Sequence, residues 1–477
     1  MRLTVDQVGR IGHASVMLNG ITVLAGANNT GKSSLGRALF ALLESFHDFS
    51  GEKYRQTRRS VRNRLRSFLT SESSDRDRSY FLAADVADAL TDALLSANRA
   101  GNGAFSAKRV ADIFESYVFD VSLLRFSREQ WDEADLQNLM EKIHDSQRTV
   151  DVRERVTRLL SLTDDDFASR FVSEIFSDMF DGQVTNLVTG AAESYIGLTG
   201  DGEETLAEAT ITRNGGARAT AQPDKLGQAI LLDDPRIADD VFGHGAMGPG
   251  LRIRSVPGSY GYEKRAWQRL VDKRTEYSHD IGLSSNSDST VADRILSQQD
   301  VDAALQKFDA AYPGKIARGE MNSTVLSDTA PVKEPIRLAN ASMGSKAMML
   351  VRYLFEESKL HDGDILVLDE PEIHLHPHWQ ITYARFIVTM AKQFGVRMLI
   401  ATHSPYFMQA LMDYSQLYGF SEQTSVYSST IQQDETIAFK HEDAAGVARI
   451  FEDMADPFIQ LEQEIADSLI GTNDADC

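Results

Sequence analysis

The stretch Ile21-Thr22-Val23-Leu24-Ala25-Gly26-Ala27-Asn28-Asn29-Thr30-Gly31-Lys32-Ser33-Ser34 decides the fold. From Gly26 onward it fits G-x-x-x-x-G-K-[ST]. An apolar run precedes it, and Leu35-Gly36-Arg37-Ala38-Leu39-Phe40-Ala41-Leu42-Leu43 follows at helical spacing. Strand, glycine loop and helix are the context in which such a loop binds phosphate. Gly26 and Gly31 let the backbone turn its N–H groups toward one anion, aided by the positive end of the helix dipole. Asn28, Asn29, Thr30 and Ser34 complete the cradle. Lys32 is placed to reach the β- and γ-phosphates, and the Ser33 hydroxyl to hold Mg²⁺. The expected ligands are ATP and Mg²⁺.

A second apolar strand lies far along the chain. Ile365-Leu366-Val367-Leu368 ends in Asp369-Glu370, and a helix from His378 to Phe394 leads to Met398-Leu399-Ile400-Ala401 and Thr402-His403-Ser404. Strand, helix and strand, both strands continuously apolar, predict a βαβ unit of a parallel sheet. Asp369 at the strand end would share the Mg²⁺ with Ser33, and Glu370 would polarise the attacking water. Ahead of this unit, Ser342-Met343-Gly344-Ser345 opens a helix, Ala347 to Leu354, and its N-terminus is an anion site. His403 follows the second strand, where an imidazole can reach the γ-phosphate.

The order of phosphate loop, Ser-x-Gly, Asp-Glu and His resembles the ABC ATPases. That resemblance implies that Ser342, Gly344 and Ser345 meet the nucleotide of a second copy. It also implies catalytic roles for Lys32, Glu370 and His403. The working unit is then a homodimer or higher homo-oligomer joined by a head-to-tail ATP sandwich. Leu368-Asp369-Glu370-Pro371-Glu372-Ile373-His374-Leu375-His376-Pro377 and Ala401-Thr402-His403-Ser404-Pro405-Tyr406-Phe407 are similar to the SMC/RecF-type heads. More narrowly, they are similar to the OLD-like and Septu-type ATPases of bacterial anti-phage systems. The signature departs from the transporter pattern at Met343 and Ser345. OLD nucleases continue into a metal-dependent nuclease domain, but only 74 residues follow His403 here. The resemblance therefore implies an ATPase that senses and scaffolds, with a nuclease or toxin supplied by a separate effector protein. The alternatives are a DNA-repair or chromosome-maintenance ATPase, and a nucleotide-locked scaffold with little turnover.

The expected fold class is α/β, a two-lobed ABC-type head with a mixed or parallel sheet and helical insertions. Lobe one comprises 1–45 and 183–235, and lobe two 331–477. Between them lie a helical insertion at 46–182 and a mixed one at 236–330. Met1 to Ala25 reads as two or three strands, and Ala191–Leu198, Ala209–Arg213, Gln228–Leu232, Ser425–Ser428 and Ile437–Lys440 as further strands. A helix is expected from Ala444 to about Leu469, its apolar stripe serving as core.

The chain has 477 residues and a net charge of −21, and its only cysteine is Cys477. A disulfide framework and a cysteine-built zinc site are excluded. No apolar run approaches a membrane span and the first residues lack a signal peptide's apolar stretch, so the expected location is the cytoplasm, with no membrane partner. The acidic balance argues against a broadly basic nucleic-acid surface, although a local patch leaves nucleic acid possible. Arg55, Arg58, Arg59, Arg62 and Arg66 fall on one helical face, a solvated face or a dock for nucleic acid or an acidic partner. Lys264, Arg265, Arg269, Lys273 and Arg274, with Trp267 among them, read the same way. The alternating His374, His376 and His378 give no facial metal triad, and are assigned to contacts near nucleotide at the head–head interface. Gln228 is the candidate glutamine-loop residue.

Overall fold

The structure, a computed structural model, describes residues 1–72, 78–99, 112–113, 116, 134, 148–242, 261–276, 306, 314–318, 324–327, 334–356, 360 and 363–452. The Gly-rich stretch 243–260, the serine run 284–287, Phe458, Leu461 and Cys477 lie outside them, as do the side chains of Lys273 and Arg274. The chain divides into two compact units, residues 48–167 and the remainder.

An eleven-stranded sheet dominates the larger unit, in the order β6-β5-β4-β1-β2-β14-β13-β3-β12-β11-β7. The strands are β1 (Arg2–Val8), β2 (Ile11–Met17), β3 (Ile21–Ala25), β4 (Glu193–Thr199), β5 (Thr205–Thr212), β6 (Ala217–Ala221), β7 (Ala229–Leu232), β11 (Ile365–Asp369), β12 (Arg397–Thr402), β13 (Thr424–Ile431) and β14 (Ile437–Glu442). β7, β11, β12, β3 and β13 run parallel, whereas β6, β5, β4, β1 and β2 are antiparallel. The fold is thus α/β with a mixed sheet, and β11 and β12 with the helix between them form the βαβ unit that the apolar runs require. A three-stranded antiparallel sheet of β8 (Lys315–Arg318), β9 (Thr324–Ser327) and β10 (Ile336–Arg337) carries no sequence signal strong enough to have been expected.

The parallel strands are continuously apolar because both faces are covered. Alternate residues on one side, among them Val23, Ile230, Leu366, Leu368 and Ile400, pack with helices α8 (Met343–Glu356), α9 (Pro377–Phe394) and α10 (Pro405–Leu417). Leu24, Leu231, Val367 and Leu399 face α1 (Lys32–Phe46), where a Cβ on Gly36 would come within 2.9 Å of Val367 Cγ1. Each such aliphatic side chain contributes roughly 1.5–3 kcal/mol on burial. Local chemistry sets the helix starts. α9 begins with Pro377 after His376, whose Nδ1 accepts from His378 N, and ends at Gly395 in the left-handed region. α10 begins with Pro405 after Ser404, whose hydroxyl accepts from Phe407 N.

The smaller unit is helical. Helices α2 (Phe49–Glu72), α3 (Arg78–Arg99) and α4 (Arg148–Leu160) enclose a core of Val61, Leu65, Leu69, Val86, Leu90, Leu94 and Val156. Helix α5 (Asp164–Met179) spans the boundary between the units. Two further helices, α6 (Ile237–Phe242) and α7 (Gly261–Glu276), belong to the larger unit.

Candidate nucleotide site

Parallel strands deliver their C-terminal ends to one edge, which is where an open α/β sheet builds its sites. β3 runs into Gly26, β11 into Asp369-Glu370 and β12 into His403. Residues more than 300 positions apart therefore meet, and Ser33 Oγ donates to Asp369 Oδ1 at 3.0 Å. The phosphate loop has the backbone its glycines permit. Gly26 has φ +143°, and a Cβ there would strike Ser429 Oγ at 2.4 Å. Gly31 (φ +73°) caps α1 and Asn29 also lies in the left-handed region. Asn28 and Asn29 are exposed, and Thr30 is buried. The Thr30 hydroxyl donates to Ala27 O and accepts from Ser429 Oγ, which ties the loop to β13. Arg10 lies across the loop, donating to Asn29 O at 3.4 Å.

Lys32 is 4% exposed, and its ammonium donates to Gly26 O at 2.9 Å and Ala27 O at 2.6 Å. Burial lowers its pKa, opposed by the nearby Glu370, Asp369 and Glu372 carboxylates. Burial also raises Asp369, while the Ser33 hydrogen bond holds it down. Ser33 and Asp369 fit Mg²⁺, which takes one or two carboxylates plus substrate phosphates rather than a full protein cage. Among the described residues no group of three or more metal-ligating side chains occurs. The loop backbone and the buried lysine fit a nucleotide triphosphate tail.

Glu370 adopts φ +49°, a left-handed conformation that costs a non-glycine residue on the order of 1–3 kcal/mol. Its N–H is held by Ala401 O at 2.9 Å. His403 Nδ1 lies 3.2 Å from Glu370 Oε1, though not in hydrogen-bond alignment. Both side chains are partly exposed at the mouth of the edge.

Ser342 is exposed and bonds Ser345, with the hydroxyls 2.7 Å apart, and it accepts from Ser345 N to cap α8. Neither serine bonds the phosphate loop of its own chain. Gly344 has a reason within its own chain, because a Cβ would lie 2.7 Å from His374 O and 2.7 Å from Leu375 Cδ2. Two residues further on, Lys346 is buried and paired with Asp239 at 2.7 Å.

One sequence reading is corrected. Gln228 precedes β7 at the strand end opposite the carboxylates, where its N–H and side-chain amide both bond Asp364. The residue that follows β7 on the phosphate side is Asp233, paired with Arg37 at 3.3 Å. Three arginines on the basic face of α2 are ion-paired at the surface. Arg55 pairs with Asp48 and Glu52, Arg58 with Asp92 and Arg62 with Asp88, while Arg59 is exposed. In the second basic segment Arg269 grips Glu44 through two hydrogen bonds, and Trp267 is buried with its indole donating to Leu231 O.

Sequence reasoning missed Ser429, Thr402, Glu372 and Asp233. Glu372 alone had a signal, a glutamate two residues past Glu370 in a turn with two prolines.

Residues 268–408 match the family described as an AAA ATPase domain, a segment that holds Ser342, Asp369, Glu370 and His403 but not the phosphate loop. Solved structures similar to the chain include the SMC head domain from Thermotoga maritima, at 10% identity over 93% of this chain and 98% of that one, with TM-score 0.34. An Smc head bound to the C-terminal winged-helix domain of ScpA is 11% identical over 94% and 98%, with TM-score 0.38. The Smc head from Pyrococcus furiosus, with an extended coiled coil and the C-terminal domain of ScpA, is 11% identical over 95% and 98%, with TM-score 0.40. No curated protein matches. The chain thus carries a segment similar to the AAA ATPase domain family, within a fold built on an α/β sheet.

Proposed function

We propose that the chain binds and hydrolyses ATP with Mg²⁺ as an ABC-type head of the SMC/RecF class. The contact of Ser33 Oγ with Asp369, beside a buried Lys32 that faces three carboxylates, carries this reading. Lys32 would exchange its bonds to Gly26 and Ala27 for phosphate oxygens. Ser33 and Asp369 would hold the Mg²⁺, which supplies charge neutralisation at the transferred phosphate. Glu370 would orient the attacking water and take its proton, with His403 alongside to bond the γ-phosphate. The exposed Ser342 hydroxyl at the start of α8 suits a nucleotide held by a second copy.

At a finer level, the reading is a sensor and scaffold of an anti-phage system that governs a separate nuclease or toxin. It rests on the similarity of Leu368–Pro377 and Ala401–Phe407 to the OLD-like and Septu-type ATPases. The test is ATP turnover by the purified chain with Mg²⁺, with and without duplex DNA. Turnover that disappears in Lys32→Ala, without DNA stimulation and without cleavage of DNA or RNA, supports both levels. Strong DNA stimulation would move the reading to repair, and absence of turnover would end the hydrolase assignment.

A further inference from the structure

Behind Glu370 and His403 a set of buried polar groups closes on itself. Thr402, fully buried, donates its hydroxyl hydrogen to Glu372 Oε1, and the Glu372 side chain is itself 1% exposed. Thr402 Oγ1 in turn accepts from Ser404 N at 3.1 Å. The Ser404 hydroxyl donates to Gln380 Oε1 at 2.6 Å, and Gln380 Nε2 donates to Leu375 O at 3.0 Å and Glu372 O at 3.4 Å. The ring thus runs from the turn after β11 to the end of β12, on to the first turn of α9, and back to the same turn.

Its position is informative. Glu372 stands two residues after Glu370, and Thr402 and Ser404 flank His403, so the ring grips both loops from the protein side. An apolar residue would pack this turn without the desolvation penalty that a buried carboxylate incurs. That penalty is only partly offset, because Glu372 Oε2 has no partner among the described residues. Glu370 is also held in a left-handed conformation that its surroundings must enforce. Such strain persists when neighbouring groups over-determine the geometry.

We propose that Glu372 and Thr402 are positioning residues that hold Glu370 and His403 in register through this ring. The inference rests on the ATPase reading above. Neither residue touches the reacting atoms, and both act through the two that do. Thr402→Val keeps the shape of the side chain and removes the hydroxyl from two bonds of the ring. A misplacement near 1 Å costs about a hundredfold in rate. Thr402→Val and Glu372→Ala are therefore expected to lower kcat by roughly ten- to a hundredfold, with KM for ATP within about twofold of wild type. Thr402→Ser should recover most of the rate lost by Thr402→Val. In a Glu370→Gln, His403→Ala background, where both positioned groups are gone, Thr402→Val should slow the residual rate by less than about twofold, since residues acting as a unit are not additive.

Wild type and Glu370→Gln serve as controls that separate the two claims. An inert wild type, or Glu370→Gln at the wild-type rate, overturns the ATPase reading and this inference with it. With those controls behaving, Thr402→Val at the wild-type kcat overturns the positioning role alone. A Thr402→Val loss that multiplies fully with the Glu370→Gln, His403→Ala pair does the same. Should Glu372→Ala fail to fold, Thr402→Val decides the question alone.

Discussion

Two regions of the molecule are rich in cations and carboxylates, and they use them in opposite ways. On α2, Arg58 and Arg62 meet Asp92 and Asp88 with every partner between 37% and 54% exposed. At the carboxylate edge of the sheet, Lys32 is 4% exposed and bonds loop carbonyls while three acids face it. Exposed pairs are screened and contribute about 0–1 kcal/mol each. Buried ones leave groups that are strongly destabilised until a charged ligand arrives, the usual mark of a functional site. In the sequence the arginine run looks the more charged of the two. The structure reverses that ranking, because burial rather than the number of charges decides what a cluster can do.

This contrast can be broken by substitution. The largest stability effect belongs to the edge. Gly344→Ala puts a Cβ against His374 O and Leu375, and overpacking of that kind costs about 1–3 kcal/mol. Chemical denaturation should show a lower midpoint together with reduced turnover. An unchanged midpoint would mean that the turn after β11 yields freely.

A smaller effect concerns pH. Glu263 on α7 is buried, its Oε1 has no partner among the described residues, and burial and then Asp233 raise it well above the usual carboxylate range. The folded chain therefore keeps a proton that the unfolded chain has lost. The resulting stability is complete below the unfolded pKa, about 4.3, and drains away as pH rises toward the folded value. Melting temperature should fall with pH across that window, and Glu263→Gln should flatten the slope. An equal slope in both proteins would remove Glu263 as its source.

The smallest effect is on α2. Arg58→Ala and Arg62→Ala should each change stability by less than about 1 kcal/mol and leave ATP turnover unaltered. A loss of several kcal/mol in denaturant titration would place these pairs with the buried edge rather than apart from it.

What was legible in the sequence follows the same division. The phosphate-loop motif, β11 and β12 could be read because each motif sits on contiguous residues next to an uninterrupted apolar run. Gln228–Leu232 was a readable strand, yet its neighbours in the sheet were not. The glutamine-loop candidate Gln228 therefore lies at the strand end away from the carboxylates, against Asp364. Ser429 and Thr402 reach the site through strand pairings, and no local pattern foretells that Ser429 lies under Gly26. β6, Ala217–Ala221, is short and polar and gave little signal. The arginines of α2 show helical spacing, but their partners on α3 lie 26 and 34 positions away.

The account turns on Glu370, and steady-state ATP turnover of Glu370→Gln tests it most directly. Losing the group that orients water should lower turnover by on the order of a hundredfold or more while ATP still binds. A Glu370→Gln protein that hydrolyses ATP at the wild-type rate would contradict the site assigned to this sheet edge.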